Sequence, residues 1–200
     1  EWNAINVLPT NASAVGSYDL DIVCKTNDTL EKIKNNFFEL IFLFGQDNFS
    51  FNKKNEFIVY IGSHGDKGAE MADLVLPGAA FTEQDGSFTN LEGKLQRAFK
   101  ASYPPGEAKE DWVIINEISK LAGKESLFKD KNELSNAMNS YISSNKKNDN
   151  SNLFKEKFIK EKISTLPIDY YHSNVIARSS KTMNECRNIR YKLKKTGTEG

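Results

Sequence analysis

The segment from Phe57 to Leu76 constrains the fold of this 200-residue chain more than any other. It opens with an unbroken run of β-branched and aromatic residues, Phe57 to Ile61, and a short apolar run of this kind is typical of a buried strand. A helix-compatible stretch, Ala69 to Asp73, leads to a second apolar run, Leu74 to Leu76, which ends at Pro77. Strand, turn, short helix and strand predict an α/β unit of a parallel sheet.

Glycines 62, 65 and 68 follow the first strand at a spacing of three residues. Glycine allows positive φ or lets another group approach the backbone closely. One candidate ligand is a phosphate, because the N–H groups at a helix start favour anions. The spacing differs from the dinucleotide fingerprint, however, and no acidic partner for a ribose follows at the expected distance. We therefore favour a tight turn at the end of a strand.

The region after this turn carries a family motif. Its residues are Gly65-Asp66, Gly68-Ala69, Ala72-Asp73, Leu76-Pro77-Gly78-Ala79-Ala80, Thr82-Glu83, Asn90, Glu92-Gly93 and Gln96. Further matching residues are Pro104-Pro105-Gly106, Glu110-Asp111-Trp112, Ile168-Asp169-Tyr170-Tyr171, Ser179-Ser180-Lys181-Thr182-Met183 and Cys186. The chain thereby resembles the molybdopterin oxidoreductase superfamily, and within it the branch formed by the largest iron–sulfur subunits of respiratory complex I (NADH:ubiquinone oxidoreductase). The match is specific from Asn55 to Gly123 and loose from Lys124 to Leu166.

The resemblance implies an α/β fold, part of a Rossmann-like domain with a mostly parallel sheet, followed by a helical or extended C-terminal arm. We divide the chain into residues 1–123, the α/β portion, residues 124–166, a polar helical appendage, and residues 167–200, an extended arm. The implied role is a non-catalytic scaffold in the NADH-oxidising peripheral arm of mitochondrial complex I, on the matrix side of the inner membrane. The whole assembly would transfer electrons from NADH to ubiquinone and translocate protons.

The alternative is a cofactor-binding fragment of a molybdopterin-dependent oxidoreductase, such as a formate dehydrogenase or a nitrate reductase. In such members this region helps to hold a pterin dinucleotide, whereas the corresponding domain of mitochondrial complex I is held to have lost it. The segments Pro104–Trp112 and Ile168–Cys186 favour complex I. A free-standing nucleotide-binding protein is a third option, which the missing ribose carboxylate disfavours.

The resemblance also implies partners. Iron–sulfur clusters are expected in the cluster-bearing N-terminal half of the subunit, as a separate chain, with other peripheral-arm subunits as further neighbours. A first core strand near Leu40 leaves few residues to complete a sheet, and open strand edges are normally paired or covered. The apolar lead-in Trp2–Leu20 and the tail around Tyr170 and Tyr171 are predicted to make an obligate contact of upwards of about 2,000 Å².

No catalytic, cofactor-binding or metal-binding residue is predicted in this chain. An iron–sulfur cluster needs about four thiolates, and the chain has only Cys24 and Cys186, which we interpret as free thiols rather than a disulfide. His64 and His172 are the only histidines, and neither has a second ligand at metal spacing.

Two polar groups have plain interpretations. Ser63-His64 beside Asp66 has the composition of a catalytic triad, but neighbours in sequence rarely have triad geometry. The carboxylates of the glycine-rich region are interpreted as hydrogen-bonding residues of turns and strand ends, namely Glu83, Asp85 and Glu92. Gly86 and Gly93 flank a segment with Asn90 and Glu92, and a Cβ at either glycine would clash if its φ is positive.

Composition excludes several functions. With 27 basic and 27 acidic residues, the formal net charge is zero, which gives no electrostatic basis for binding nucleic acid or an anionic membrane. No apolar run approaches the roughly 20 residues of a membrane span.

The missing initiator methionine and signal peptide predict a processed chain or a piece of something longer. Frequent Asn and Lys suggest an AT-rich genome, such as that of an organelle.

The remaining pattern predicts a further strand and several helices. The strand is Leu40–Phe44, in the core, followed by a polar loop, Gln46–Glu56. The predicted helices are one after the capping box Asp28–Glu31 with Leu30, Ile33 and Phe37 on one face, one at Lys109–Ala122 with the core stripe Ile114, Ile115, Ile118, Leu121 and Ala122, one over Leu134–Ile142, and one at Leu153–Leu166. Residues 145–152 are predicted as a surface loop or disordered. The tail either packs on its own domain or docks on another subunit.

Overall fold

The computed structural model describes Pro9 and residues 11–22, 28–148 and 169–195. Its helices are α1 (Ala14–Asp19), α2 (Asp28–Lys34), α3 (Lys67–Glu70), α4 (Asp111–Leu121), α5 (Lys131–Asn148), α6 (Val175–Ser179) and α7 (Lys181–Lys195), with a 3-10 turn at Tyr170–His172. Its strands are β1 (Leu40–Phe44), β2 (Phe57–Gly62), β3 (Leu74–Pro77), β4 (Gly86–Thr89) and β5 (Leu95–Ala98). The predicted α/β class is confirmed.

A parallel sheet with the order β1-β2-β3 forms the centre of the fold. The central strand is the predicted β-branched run, and its residues from Ile58 to Ile61 are buried. The second apolar run forms β3, as predicted, and α3 lies between the two strands in sequence. Strands β4 and β5 form a separate antiparallel hairpin.

Side chains alternate between the two faces of β2, and each face has its own core. On one face Ile58 and Tyr60 pack with Leu43. On the other face Val59 and Ile61 pack with Ile114 of α4. The two clusters show that α4 covers the sheet from one side, while α3 and the loops after β1 cover the other.

Strand β1 forms where the apolar run predicts it, but the expectation that it lies in the core is wrong for most of its side chains. Only Leu43 is buried, whereas Leu40, Phe42 and Phe44 are exposed among the described residues. The reason is local cover, because α4 packs on β2 and β3 and does not reach this part of the sheet. A sequence pattern predicts that a strand is apolar, but it does not say what packs on it.

Helix α4 agrees with prediction to within two residues at each end. Its end is set by Gly123, whose φ of 73° lies in the left-handed region that glycine adopts without strain. The predicted core stripe is too wide, since Ile114 and Ile118 pack on the sheet while Ile115 and Leu121 are exposed. Burial on this helix therefore follows the narrow contact with β2 and β3.

A buried polar residue of α4, Asn116, was missed by the apolar pattern. Its Nδ2 donates to the carbonyl oxygen of Phe128 at 2.7 Å, and its Oδ1 accepts from the main-chain nitrogen atoms of Leu127 and Phe128. These bonds satisfy the buried amide and hold the loop that leads to α5.

The chain before and after β1 differs from expectation in two respects. Helix α2 ends at Lys34, so Phe37 lies beyond the predicted helical face, and Leu30 is exposed. Residues 46–56 contain no helix or strand, as predicted, yet Asp47 and Glu56 are buried there. The Glu56 carboxylate accepts from the Lys54 main-chain nitrogen and from the Asn36 side chain at 2.9 Å, which accounts for its burial.

Helix α5 extends further than predicted. Residues 145–148 are helical, so the predicted surface loop is wrong for that part, while 149–152 and the predicted helix Leu153–Leu166 lie outside the described residues. Of the predicted apolar face, Ile142 is buried and Tyr141 is exposed. Helix α1 falls within the predicted lead-in.

The predicted extended arm is helical over Val175–Ser179 and Lys181–Lys195. Asn174 caps the first of these helices, since its Oδ1 accepts from the Ala177 main-chain nitrogen at 2.9 Å. The division of the chain into three domains stays a prediction.

The hairpin supplies a first testable prediction. Gly93 has a φ of 77°, so the condition for a clash is met there, whereas Gly86 does not have a positive φ and the condition is not met. We expect Gly93→Ala to lower the free energy of unfolding by about 1–2 kcal/mol, because a Cβ is strained in the left-handed region. Gly86→Ala is the matched control, since its Cβ would meet Phe88 at an ordinary 3.6 Å. Urea unfolding of both variants tests this, and equal losses would contradict it.

Candidate functional site

The carboxyl ends of parallel strands are where open α/β sheets bind ligands. At this edge lie the residues that follow each strand, including Asp47 after β1, the turn Ser63–Asp66 after β2 and Gly78 after β3. The C-terminal segment reaches the same edge through Arg178 of α6. The sequence pattern marked the turn after β2 and Gly78, but it did not mark Asp47 or Arg178.

Arg178 joins two carboxylates at this edge. Its guanidinium pairs with Asp47 and lies 3.3 Å, from Nε to Oδ2, from Asp66. Its Nη1 donates to the carbonyl oxygen of His172 at 3.4 Å. The side chains of Arg178 and Asp47 are only 19% and 10% exposed. We call the set Asp47, Asp66 and Arg178 the edge clamp, and it shows that the described tail packs on its own domain.

The glycine turn is shaped by close packing. Gly68 donates its N–H to the main-chain oxygen of Asp47 at 2.8 Å, and a Cβ on Gly68 would lie 2.3 Å from the Gln46 carbonyl oxygen. The Tyr60 hydroxyl donates to the His64 carbonyl oxygen at 2.7 Å, which fixes the other side of the turn. The tight-turn interpretation is confirmed. At position 68 glycine is needed because the loop after β1 comes too close to leave room for a side chain.

An anionic cofactor does not fit the described residues of this edge. Helix α3 has four residues, and its first N–H, that of Lys67, is already bound by Asp66 Oδ1 at 2.8 Å. The two carboxylates of the edge clamp outnumber its single cation, Arg178, which is paired with both. A pterin dinucleotide, which the family implies for its molybdenum members, would bring its negative phosphates against this pair. The phosphate interpretation of the glycine turn is therefore disfavoured on charge.

The triad composition does not give triad geometry. Ser63 Oγ lies 3.0 Å from His64 Nδ1, which is the ring nitrogen that bonds the carboxylate in a catalytic triad, whereas the serine bonds Nε2. Asp66 is instead bound by Arg178 and by the Lys67 main chain. Among the residues that the structure describes, no group of three or more His, Cys, Asp or Glu side chains is arranged to hold a metal ion. Cys186 is an exposed free thiol, and Cys24 lies outside the described ranges.

The three carboxylates near Gly86 make the turn contacts predicted for them. Glu83 accepts from the Ala80 main-chain nitrogen at 3.0 Å, and Asp85 accepts from the Lys100 main-chain nitrogen at 2.9 Å. Glu92 Oε2 lies 3.5 Å from the Asn90 side-chain nitrogen. These are the hydrogen bonds of turns and strand ends that the sequence predicts.

A second charged group joins the hairpin to α4 and α5. Lys131 Nζ lies 2.9 Å from Asp85 Oδ2 and 2.8 Å from Glu110 Oε1. Trp112 Nε1 donates to the other Glu110 oxygen at 3.0 Å, and Lys100 Nζ lies 3.5 Å from Glu110. We call Asp85, Glu110 and Lys131 the hairpin cluster.

The hairpin cluster shifts the ionisation of its members. The hydrogen bond from the Lys100 main chain, followed by that from Lys131, holds the pKa of Asp85 below its usual value. Burial raises the pKa of Glu110, but the bonds from Lys131 and Trp112 outweigh it and leave that pKa below its usual value. Burial likewise lowers the pKa of Lys131, and its bonds to Glu110 and Asp85 reverse this and raise it.

These shifts predict how the cluster responds to pH. A carboxyl with a lowered pKa stabilises the fold above its unfolded value, about 4, and this contribution is lost as the pH falls through the folded pKa. Lys131, with its raised pKa, stays charged throughout. We therefore expect Lys131→Met to unfold at lower urea concentration than the wild type at pH 7, with the difference shrinking as the pH falls below the unfolded value of about 4 and through the lowered pKa values of Asp85 and Glu110. Lys124→Met, an exposed lysine after α4, is the control. A deficit that is constant from pH 7 to pH 3 would contradict the cluster.

Comparison with known families gives two matches on different parts of the chain. The sequence model of molybdopterin oxidoreductase matches residues 1–121, which hold the parallel sheet, the hairpin and α4. The model of the C-terminal region of the G-type NADH-ubiquinone oxidoreductase subunits matches residues 137–186, which include the edge-clamp arginine. The chain belongs to the molybdopterin oxidoreductase family.

Within this family, the chain is similar to proteins named as subunits of NADH-ubiquinone or NADH-quinone oxidoreductase. The chain is 38% identical over 205 residues to the NADH-ubiquinone oxidoreductase 75 kDa subunit of Reclinomonas americana, an alignment that covers 96% of this chain and 29% of that protein. It is 38% identical to the G-type NADH-quinone oxidoreductase subunit of Rickettsia bellii, with 98% and 29% covered. It is 34% identical to the mitochondrial NADH-ubiquinone oxidoreductase 78 kDa subunit of Candida albicans, with 93% and 28% covered. The chain thus spans less than a third of the length of these relatives, and the predicted resemblance is confirmed.

Within the described ranges, every helix is too short or too polar to cross a lipid bilayer.

Proposed function

We propose that this chain is a non-catalytic scaffold portion of the NADH-oxidising peripheral arm of respiratory complex I. The assembly as a whole would pass electrons from NADH to ubiquinone and couple this to proton translocation. The observation that carries the proposal is the edge clamp, because its two carboxylates outnumber the one guanidinium of Arg178, and the resulting negative charge disfavours an anionic cofactor at this edge. Similarity to subunits named NADH-ubiquinone or NADH-quinone oxidoreductase supports the choice of assembly.

Electron transfer is assigned to partners. With two cysteines, the chain falls short of the roughly four thiolates of an iron–sulfur cluster. We infer that the clusters lie in a cluster-bearing N-terminal portion of the subunit, present as a separate chain, and that other peripheral-arm subunits are neighbours. The word mitochondrial in the name of the Candida albicans relative supports a mitochondrial location, and we propose that the chain lies on the matrix side of the inner membrane.

The test separates scaffolding from chemistry at the same edge. Ser63→Ala and His64→Gln remove the hydroxyl and imidazole of the turn, while the hydrogen bond from the Tyr60 hydroxyl to the His64 main-chain oxygen can still form. For complex purified from cells that carry each variant, we expect NADH:ubiquinone turnover per assembled complex to equal that of the wild type. Loss of turnover at full assembly would show a chemical role and overturn the proposal.

Two measurements test the assignment of partners. Native mass spectrometry of the purified assembly should show this chain migrating with a cysteine-rich iron–sulfur chain. Elemental analysis should find iron without molybdenum. Stoichiometric molybdenum would instead favour the molybdopterin-dependent alternative, and recovery of this chain from cells only as a 200-residue monomer without partners would contradict the scaffold role.

A further inference from the structure

One face of the parallel sheet is only half covered. The register of β1 and β2 places Leu40, Phe42 and Phe44 opposite Phe57, Val59 and Ile61, so these six side chains share a face. Helix α4 buries Val59 and Ile61. It leaves the three β1 side chains exposed, Leu40 to 51%, and the Phe42 and Phe44 rings stack on each other with centroids 6.3 Å apart. We call Leu40, Phe42 and Phe44 the open half-face.

The strand that carries the open half-face is also an edge. In the described part of the chain β1 pairs on one side only, with β2. Proteins protect a solvent-facing edge strand with charges, proline or a bulge. The sequence Leu40–Phe44 contains none of these and is apolar at every position. Its main chain and its exposed face are therefore both suited to a further structural element.

The parallel arrangement restricts what that element is. All-parallel sheets are covered on both faces, and a parallel strand is joined through a crossover that is usually a helix. A single strand–helix unit would pair with β1 and lay its helix across the open half-face. A second copy of this chain, related by a two-fold axis, would pair β1 with β1 in antiparallel fashion and supply no such helix.

We propose that the open half-face is the docking surface for a strand and amphipathic helix of the cluster-bearing polypeptide. This inference rests on the proposed function. The cluster-bearing polypeptide is the source we favour for this strand and helix, because more than two-thirds of the sequence of each matched relative lies outside the region aligned with this chain. The helix would present aliphatic or aromatic residues to Phe42 and Phe44, and the strand would extend the sheet beyond β1.

The experiment places lysine on the open half-face. We expect Leu40→Lys/Phe42→Lys to reduce incorporation into the NADH-oxidising assembly about tenfold or more, because docking would bury two unpaired charges. Leu121→Lys is the matched control, since Leu121 is 89% exposed at the end of α4, away from β1, and it should incorporate normally. The urea midpoint of the free double variant should stay near that of the wild type. Full incorporation of the double variant would overturn the inference.

A second measurement covers the case in which the double variant does not fold. A photo-crosslinking residue at position 40 or at position 121 leaves the rest of the chain unchanged. We expect a cross-link to the cluster-bearing polypeptide from position 40 and none from position 121. A cross-link from position 40 to a second copy, or to another part of the same chain, would overturn the inference. If the wild-type chain itself failed to enter the assembly, the proposed function would fail first, and the two failures are thus distinguishable.

Discussion

Replacing Arg178 by methionine is expected to lower the free energy of unfolding by about 3–5 kcal/mol, the range found when one partner of a buried ion pair is removed. Methionine keeps much of the side-chain volume but leaves Asp47, whose side chain is 10% exposed, without its cation. Asp66, the second carboxylate, is more exposed and contributes less. Urea unfolding at pH 7 gives the loss directly.

A surface ion pair gives the control for the edge clamp. Lys109 and Glu117 approach to 2.8 Å, but both side chains are about half exposed, and such pairs contribute about 0–1 kcal/mol. Lys109→Met should therefore have little effect. In the double variant Arg178→Met/Asp47→Asn the buried charge is gone, and much of the stability should return. If Arg178→Met cost no more than Lys109→Met, the clamp would not be a stabilising element.

The second large effect is expected at Gly68. A methyl group there would lie 2.3 Å from the main-chain oxygen of Gln46 and 3.2 Å from the ring of Tyr60. A main-chain atom cannot rotate away as a flexible side chain can, so either the loop after β1 or α3 must move. Overpacking of this kind costs about 1–3 kcal/mol or more, and we place Gly68→Ala at the upper end of that range.

Gly65 of the same turn is the matched control. A Cβ at Gly65 meets nothing closer than Ala69 Cβ, at 3.9 Å, and its φ is not positive. Gly65→Ala should be neutral or should stabilise by about 0.4–1 kcal/mol, through the lower entropy of the unfolded chain. Thermal unfolding of the two variants side by side tests the pair. Equal behaviour would show that the turn adapts to a methyl group at both positions.

The features that sequence predicted well are local. The run at β2, the proline-terminated run at β3 and the helix that ends before Gly123 each depend on residues within a few positions of one another. The family motif then supplied the fold class, which the parallel sheet confirms.

The features that sequence did not predict depend on distant partners. Arg178 and Asp66 are 112 residues apart, and neither stands in a pattern that marks an ion pair. The exposure of β1 side chains depends on how far α4 extends across the sheet. The burial of Asn116 depends on the loop at Phe128, to which its side chain is hydrogen-bonded. Periodicity describes one element at a time, whereas these contacts are decided by the packing of several elements.

The residues of the edge clamp are synthesised at different times, because they lie far apart in the sequence. Ribosomes add about 5–20 residues per second, so Arg178 is synthesised roughly 6–22 s after Asp66, from which it is separated by 112 residues. Until then Asp47 and Asp66 lack the cation that pairs with them in the finished fold. The edge clamp can therefore form only after α6 has been synthesised. A chain interrupted before α6 would lack Arg178, and its two unpaired carboxylates would distinguish it from a chain that includes α6.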